Sequence, residues 1–343
     1  MVKYEQLEVT GIIEETKHAK TFLLKPLNNW QPTYKEGQFI TLIFTTEFGE
    51  RRRSYSISSA LGEKLSITVK KVDNGEFSRR LLYRTKVGDI LLVSGISGLF
   101  VLPETINPNN QFFFLAAGSG ITPCYSIIKK LLQTTCNKIV LIYSNKNEEE
   151  TIYYKELISL QEKFEERFII KFLFSNHFSV YESRLSNWLL QQLLKTYLQV
   201  KKEDALFYVC GPFDYMQMIT ISLLSEGIAL HNIKKENFNS LPRINKPLPP
   251  DTDAHFVTFI LKNTSYKFSV QYPQTILAAA KEHNVIIPYS CEAGRCGSCT
   301  ATCTNGEIWM AYNEILLDEE VAEGRILCCQ SYPINGDAVI EIK

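Results

Sequence analysis

The sequence predicts a multidomain chain: a β domain, then an open α/β sheet, then a small module built around a cysteine loop. Three observations lead there. Short apolar runs broken by turn residues extend from about residue 4 to 105, and a strand–glycine turn–helix unit opens at Phe112. Near the C-terminus Cys291, Cys296 and Cys299 stand in a C-x₄-C-x₂-C spacing. A chain of 343 residues is also too long for one ordinary core. Hydrophobic residues at 45% and charged residues at 22% are globular values, so each domain can bury its own core.

Composition narrows the partners. The formal charge is zero, but residues 254–343 carry ten acids against six bases, whereas those before them carry 27 against 31. Nothing in that split points to nucleic acid. It suggests an acidic C-terminal module able to dock on a basic surface, in this chain or a partner. No apolar run approaches the ~20 residues that span a bilayer, and Met1 to Thr10 lacks a signal-peptide core. Cys291, Cys296, Cys299, Cys303 and Cys329 crowd one region, and the nine cysteines follow no disulfide rhythm. A cytoplasmic protein with neither membrane nor nucleic-acid partner is expected.

Taken in order, the first domain shows Phe39 to Phe44, Leu65 to Val69 and Ile90 to Val93 as strands, with turns at Gly37, Gly49, Gly62, Asn74-Gly75 and Gly88-Asp89. Many short strands at that spacing fit a barrel or a sandwich. Arg53, Tyr55 and Ser56 lie on one such strand, where a guanidinium, a phenol and a hydroxyl could meet an anionic aromatic ligand; an exposed basic strand is the plainer reading. Next, Phe112 to Ala117 reads as a buried parallel strand running into Gly118-Ser119-Gly120-Ile121-Thr122-Pro123 and a helix from Tyr125 to Gln133. Free N–H groups and a helix dipole make such a turn an anion cradle. Pro123 replaces the third glycine of the usual dinucleotide fingerprint. Strands follow at Lys138 to Tyr143 and Leu206 to Cys210, the latter entering Gly211-Pro212, and Glu148 to Glu150 read as a solvated helix start. Alternation from about 111 to 235 predicts an open parallel sheet with ligands at the carboxyl ends of its strands. Four of the 13 prolines fall in 241–252, a semi-rigid linker. Beyond it Phe256 to Ile260 and Tyr266 to Val270 read as a hairpin, and Ile276 to Glu282 as a helix leading to the cysteines.

Together Arg53-Ser54-Tyr55-Ser56, Gly75-Glu76-Phe77-Ser78, Gly118 to Pro123 and Cys210-Gly211-Pro212 resemble the ferredoxin–NADP reductase superfamily, in its order. The cysteine loop with Leu327-Cys328-Cys329-Gln330 looks like a plant-type ferredoxin. The layout resembles that of oxygenase reductases, most of all phenylacetyl-CoA oxygenase reductase subunits. That resemblance implies an antiparallel β-barrel flavin domain (1–105), an α/β parallel-sheet nicotinamide domain (106–240), the linker (241–252) and an α+β β-grasp ferredoxin domain (253–343). It implies FAD, a [2Fe–2S] cluster and NADPH or NADH as cofactors, with FMN as the alternative flavin. An oxygenase component is the implied electron acceptor.

The resemblance also assigns roles. Arg53 would hold a flavin phosphate, Tyr55 would lie against the ring system, and Ser56 would donate towards its N5. Gly75 and Ser78 match a pyrophosphate-binding turn. Gly118, Gly120 and Thr122 would cradle the nicotinamide dinucleotide, with Gly211 beside them and Cys210 near hydride transfer. Ser56, Thr122 and Cys210 are thus the catalytic candidates. Lys146 could meet a 2′-phosphate, which leans the reading to NADPH, although Glu148 to Glu150 would repel that group. Phe238 would cover the flavin or serve as core. Cys291, Cys296, Cys299 and Cys329 would ligate the cluster; a zinc site is disfavoured because its cysteines come as separated C-x₂-C pairs. Ser97 stands where members often carry proline. A reductase for a ring-hydroxylating oxygenase, desaturase or other monooxygenase is the nearest alternative, and a redox-sensing module the non-enzymatic one.

Overall fold

Alternating apolar residues build the first sheet from β1 (Glu5–Thr16), β2 (Ala19–Pro26), β3 (Phe39–Thr46), β4 (Gly49–Ser56), β5 (Ser66–Lys70) and β6 (Ile90–Ser97). The structure, a computed structural model, describes residues 4–47, 49–177, 179, 183–238, 247–261 and 264–342. Strand order is β4-β3-β6-β1-β2-β5, with antiparallel pairing. An Ile57–Ile67 bridge and the Ser58 N–H donating to Ser66 O at 2.9 Å join the two edges. The sheet therefore closes towards a barrel where its two edges meet. Its interior holds Leu7, Phe22, Ile40, Leu42, Ile67 and Val93.

One helix interrupts what reads as continuous β sequence. α1 (Glu76–Arg84) buries Phe77, Ser78, Leu81 and Leu82, and its three apolar side chains join the barrel core. Those four positions recur at i, i+1, i+4 and i+5, which is one face of a helix.

β7 (Gln111–Ala117), β8 (Lys138–Asn145), β9 (Phe168–Phe174), β10 (Ala205–Cys210) and β11 (Ile233–Glu236) form a second, wholly parallel sheet, ordered β11-β10-β7-β8-β9. β7 is apolar at nearly every position because both of its faces are covered. Phe112 and Phe114 pack with α2 (Ile121–Thr134) and α3 (Tyr154–Lys163), while Phe113 and Leu115 pack with α4 (Asn187–Tyr197) and α5 (Phe213–Ser225). The order reverses between β7 and β10, so the crevice beyond their carboxyl ends is where a ligand belongs. Glu148 to Glu150 do not start a helix. They lie in a turn in which Asn147 Oδ1 accepts from the Glu150 N–H at 2.9 Å, and α3 begins only at Tyr154.

Contacts divide the chain into two compact units, Met1–Phe238 and Asn239–Lys343. The second contains β12 (His255–Leu261), β13 (Thr264–Val270), α6 (Ile276–Glu282), β14 (Thr300–Met310), α7 (Asp318–Ala322), β15 (Arg325–Leu327) and β16 (Ser331–Ile342). Its sheet runs β13-β12-β16-β14-β15, parallel only between β12 and β16. α6 starts where Thr275 Oγ1 accepts from the Ala278 N–H at 3.2 Å, and it lays Ile276, Leu277, Ala279 and Ala280 inward as a β-grasp helix does. Of the linker expected at 241–252, residues 241–246 lie outside the described residues; Pro247 and Pro250 are exposed. Among the described residues no helix is long and apolar enough to cross a membrane.

Candidate functional site

Two cradles and one buried carboxylate make up the site in the first unit. The first cradle is the start of α1. Gly75 precedes the helix in a turn so tight that a methyl on it would meet Ser78 Oγ and Val72 Cβ at 2.8 Å. Ser78 Oγ accepts from the Val72 N–H at 3.1 Å and donates to Gly75 O at 3.3 Å, so its hydroxyl shapes the turn. Unpaired N–H groups at a helix start attract anions. Arg53 supplies the charge: its guanidinium lies 4.7 Å from the ring centroid of Phe77, within the same turn, and donates to Arg52 O at 2.7 Å. Arg53, Gly75 and Ser78, distant in sequence, are thus brought together. Their donors fit a flavin nucleotide phosphate. Alternation along β4 gives Arg53 and Tyr55 one face and Ser56 the other.

The second cradle lies between the carboxyl ends of β7 and β10. Gly118 is left-handed at φ 54, and a 3₁₀ turn over Gly118–Gly120 feeds α2. A methyl on Gly120 would sit 2.0 Å from Cys210 O, and one on Gly211 would sit 3.0 Å from Ala117 Cβ. Glycine is required at Gly120 because two backbones touch there, whereas Gly211 is crowded by the side chains of Tyr215 and Ala117. Thr122, buried, donates through Oγ1 to Ser119 O at 2.9 Å, and Tyr143 Oη donates to Gly118 O at 2.9 Å, so the turn is braced from both sides. Bare backbone at this crevice fits the pyrophosphate of a dinucleotide. Lys146 follows the end of β8 with its side chain 68% exposed, its ammonium 3.5 Å from Glu150 Oε1.

Two residues not singled out from the sequence belong here. Lys70, the last residue of β5, places Nζ 3.4 Å from where a Gly118 methyl would lie, so a barrel cation leans over the second cradle. Glu236 ends β11 in register with Cys210 and is buried. Ser56 Oγ donates to its Oε2 at 3.2 Å. Burial pushes the Glu236 carboxyl up to about 8, with the Ser56 bond opposing. It is a neutral acid at neutral pH. Desolvation, then the neighbouring Glu236, raises the Cys210 thiol well above its usual range, so Cys210 is no thiolate nucleophile. Sequence offered one signal for Glu236, an acidic residue closing an otherwise ordinary strand. Phe238, 46% exposed, is not a core ring.

In the second unit the thiols fall into two neighbouring pairs, Cys291 with Cys296 and Cys299 with Cys329, each thiol acting on its partner's acidity. The Cys328 N–H donates to Cys299 O at 3.0 Å and ties the distant segment to the loop, while Gln330 Nε2 reaches Glu292 O at 3.0 Å. The Ala293 N–H points at Cys291 Sγ, 3.3 Å away, the kind of bond that tunes a thiolate ligand. Gly294, at φ 72, and Gly297, at φ 70, keep the loop compact. Cys299 and Cys329 are buried, Cys291 and Cys296 half-buried. Among the described residues no three His, Cys, Asp or Glu side chains close on one metal ion. Two dithiol pairs are the donor set of a two-iron cluster, and they fit it. Cys328 is buried, and Cys303 bonds through Sγ to Asn305 O; neither joins the pairs.

Known proteins share these features. The oxidoreductase NAD-binding domain family matches residues 114–220, and the 2Fe-2S iron-sulfur cluster binding domain family matches 259–333. The chain is 28% identical to a component of the 1,2-phenylacetyl-CoA epoxidase of Escherichia coli, over 99% of this chain and 98% of that protein. It is 30% identical to the reductase component of the glycine betaine monooxygenase of Pseudomonas aeruginosa, over 96% and 93%. The fold of phthalate dioxygenase reductase superposes with a TM-score of 0.60 at 23% identity, over 99% of this chain and 98% of that one.

Proposed function

This chain belongs to the [2Fe–2S]-carrying reductase components of oxygenases, of ferredoxin–NADP reductase type, and we propose that it draws hydride from NAD(P)H and delivers single electrons to an oxygenase of the phenylacetyl-CoA epoxidase kind. One observation carries the reading. Ser56 of the barrel bonds the buried carboxylate of Glu236, the residue that pairs in register with Cys210 of the parallel sheet, so flavin-side and nicotinamide-side groups meet at one residue. Bound flavin converts a two-electron hydride into single electrons, which a [2Fe–2S] cluster takes one at a time.

The remaining tasks fall to the chain. Arg53 and the Gly75–Ser78 turn hold the flavin phosphates; Tyr55 and Phe238 bracket its ring, Phe238 with the exposed face such a cover needs. Gly118, Gly120, Thr122 and Gly211 hold the dinucleotide pyrophosphate, with Lys70 adding charge over the first glycine. With flavin bound, the single Ser56 hydrogen turns from Glu236 to flavin N5 while Oγ accepts from the protonated Glu236, which, neutral at working pH, keeps a negative charge away from the place where one arrives. Cys210 packs against the nicotinamide as a small neutral wall. Cys291, Cys296, Cys299 and Cys329 ligate the cluster. The domain limits 1–105, 106–240 and 253–343 belong to the same proposal.

Lys146 supports NADPH ahead of NADH, and an unchanged preference in Lys146→Ala would remove that support. The full-length likeness to an epoxidase component supports the acceptor class, while the likeness to a glycine betaine monooxygenase reductase supports the second choice, a ring-hydroxylating oxygenase, desaturase or other monooxygenase. Nine cysteines, four of them cluster ligands and none in a disulfide, support a cytoplasmic, reducing setting. The direct test is NAD(P)H-driven cytochrome c reduction by protein replete in flavin and iron. Sustained turnover is expected; its absence sinks the reading, and exchange of purified oxygenase partners then ranks the acceptors.

A further inference from the structure

The barrel and the parallel sheet meet at a second place, away from Ser56 and Glu236, and the chemistry there is more directional than packing requires. α2 leaves the Gly118–Gly120 cradle and carries Tyr125 and Lys129 one turn apart. Lys129 Nζ pairs with Glu63 Oε2 of the barrel, its side chain only 12% exposed, and lies 4.5 Å from the ring centroid of Tyr125. Tyr125 in turn stacks on Tyr153 at 4.2 Å and 19°. Tyr153 is buried at φ 61, a left-handed backbone that a bulky residue rarely adopts. That backbone aims its hydroxyl at Thr68 Oγ1 on β5. Thr68 continues to Ser58 Oγ at 3.3 Å, two residues beyond Ser56.

An unbroken seam therefore runs from the helix that shapes the nucleotide cradle to the strand end that carries the flavin-side hydroxyl. Apolar contacts could hold the two bodies together as firmly, but they tolerate sliding. A buried cation, a stacked ring pair and a chain of hydroxyls do not, since each loses its partner when shifted. Hydride transfer is the step that needs this, because reacting atoms must lie ~3–3.5 Å apart and small displacements cost rate.

We propose that Lys129, Tyr125 and Tyr153 are positioning residues that set the approach of nicotinamide to flavin without touching either. The proposal rests on the hydride-transfer reading given above. In that step a C–H bond of the dihydronicotinamide breaks, the hydrogen and its electron pair form a bond to the flavin, and oxidised nucleotide leaves.

The test uses flavin- and cluster-loaded Tyr153→Phe, which deletes one oxygen atom, and Lys129→Met, with Lys129→Arg as the conservative partner. Anaerobic stopped-flow at saturating nucleotide should show the limiting rate of flavin reduction lowered about fivefold or more in the first two, with Kd for the nucleotide held within about twofold. The nicotinamide–flavin charge-transfer absorbance should weaken in parallel, and Lys129→Arg should recover most of the rate. Amide hydrogen exchange, read independently of turnover, should quicken along 121–134 and 66–70. A Tyr153→Phe protein with native flavin content and wild-type limiting rate overturns the proposal, as does a change confined to Kd. If Lys129→Met folds poorly, Tyr153→Phe decides alone. Wild-type protein that accepts no hydride would refute the functional reading instead, and unaltered exchange in Tyr153→Phe would refute the seam.

Discussion

Ser56 Oγ donates to Glu236 Oε2 at 3.2 Å, across 180 positions of sequence and between two differently built sheets. The bond presents the serine hydroxyl at the end of β4 and fixes which way the buried acid faces. Ser56→Ala should lower the rate of nucleotide-driven flavin reduction by roughly tenfold to a hundredfold, in the range of losing one preorganised donor. Flavin and iron content should stay native. A rate within twofold of wild type would remove Ser56 from the chemistry.

The pH profile should report Glu236. Burial holds its folded pKa at about 8 against an ordinary 4.5. The acid is neutral below that value, so flavin reduction should be fastest there and slow as pH rises through about 8. Glu236→Gln should flatten that limb. Stability follows the same sign: the contribution of the neutral acid is fully present below pH 4.5 and is lost as pH climbs to about 8. Urea titrations of wild type and Glu236→Gln across that window should converge at low pH and separate at high pH, the glutamine form being the more stable.

Gly120→Ala places a methyl 2.0 Å from Cys210 O, with backbone on both sides and nothing flexible to yield. Nucleotide affinity should fall by more than about tenfold while the barrel keeps its flavin. Titration of the flavin spectrum with oxidised nucleotide checks it directly.

Lys70→Ala should raise KM for the nucleotide about tenfold with little change in kcat, the loss expected of one charge-assisted contact. Lys70→Arg should retain most of the affinity. Weakening of binding with salt should be shallower in the alanine form. Equal KM values at low ionic strength would place Lys70 outside the nucleotide site.

Cys329→Ser should abolish the electron paramagnetic resonance signal of the reduced cluster and cripple delivery to the oxygenase. Hydride reduction of the flavin should survive, because the thiol pairs lie in a separate compact unit. Equal loss of both activities in a folded variant would overturn the proposed order of electron flow.

What sequence could reveal was decided by how far each interaction reaches. The C-x₄-C-x₂-C loop declares itself because its ligands are neighbours on one turn, and β7 does so because burial on both faces leaves an apolar run. Gly120 is visible as a glycine, but the reason for it, the Cys210 carbonyl, appears only when β10 is laid beside β7. Glu236 and Lys70 are ordinary strand ends until the sheets place them over the crevice. α1 was hidden by its nine residues and by the β-rich runs around it, though its apolar spacing carried the signal. Glu148 to Glu150 suggested a helix start through charge alone, and the Asn147 turn prevailed locally.

The close approach of Gly120 to Cys210 also has a consequence for biosynthesis. β7 is the middle strand of its sheet, sealed by β8 on one side and by β10 on the other. On the ribosome β8 emerges soon after β7, whereas β10 waits until α4 has left the exit tunnel. Throughout that interval one edge of β7 stands open and the Gly118–Gly120 turn has no carbonyl to close against. A nascent chain arrested before Ala205 therefore carries the glycine motif without a working nucleotide site, and a fragment ending there is a target for chaperones and proteases. The cradle is completed late, by residues written far downstream of it.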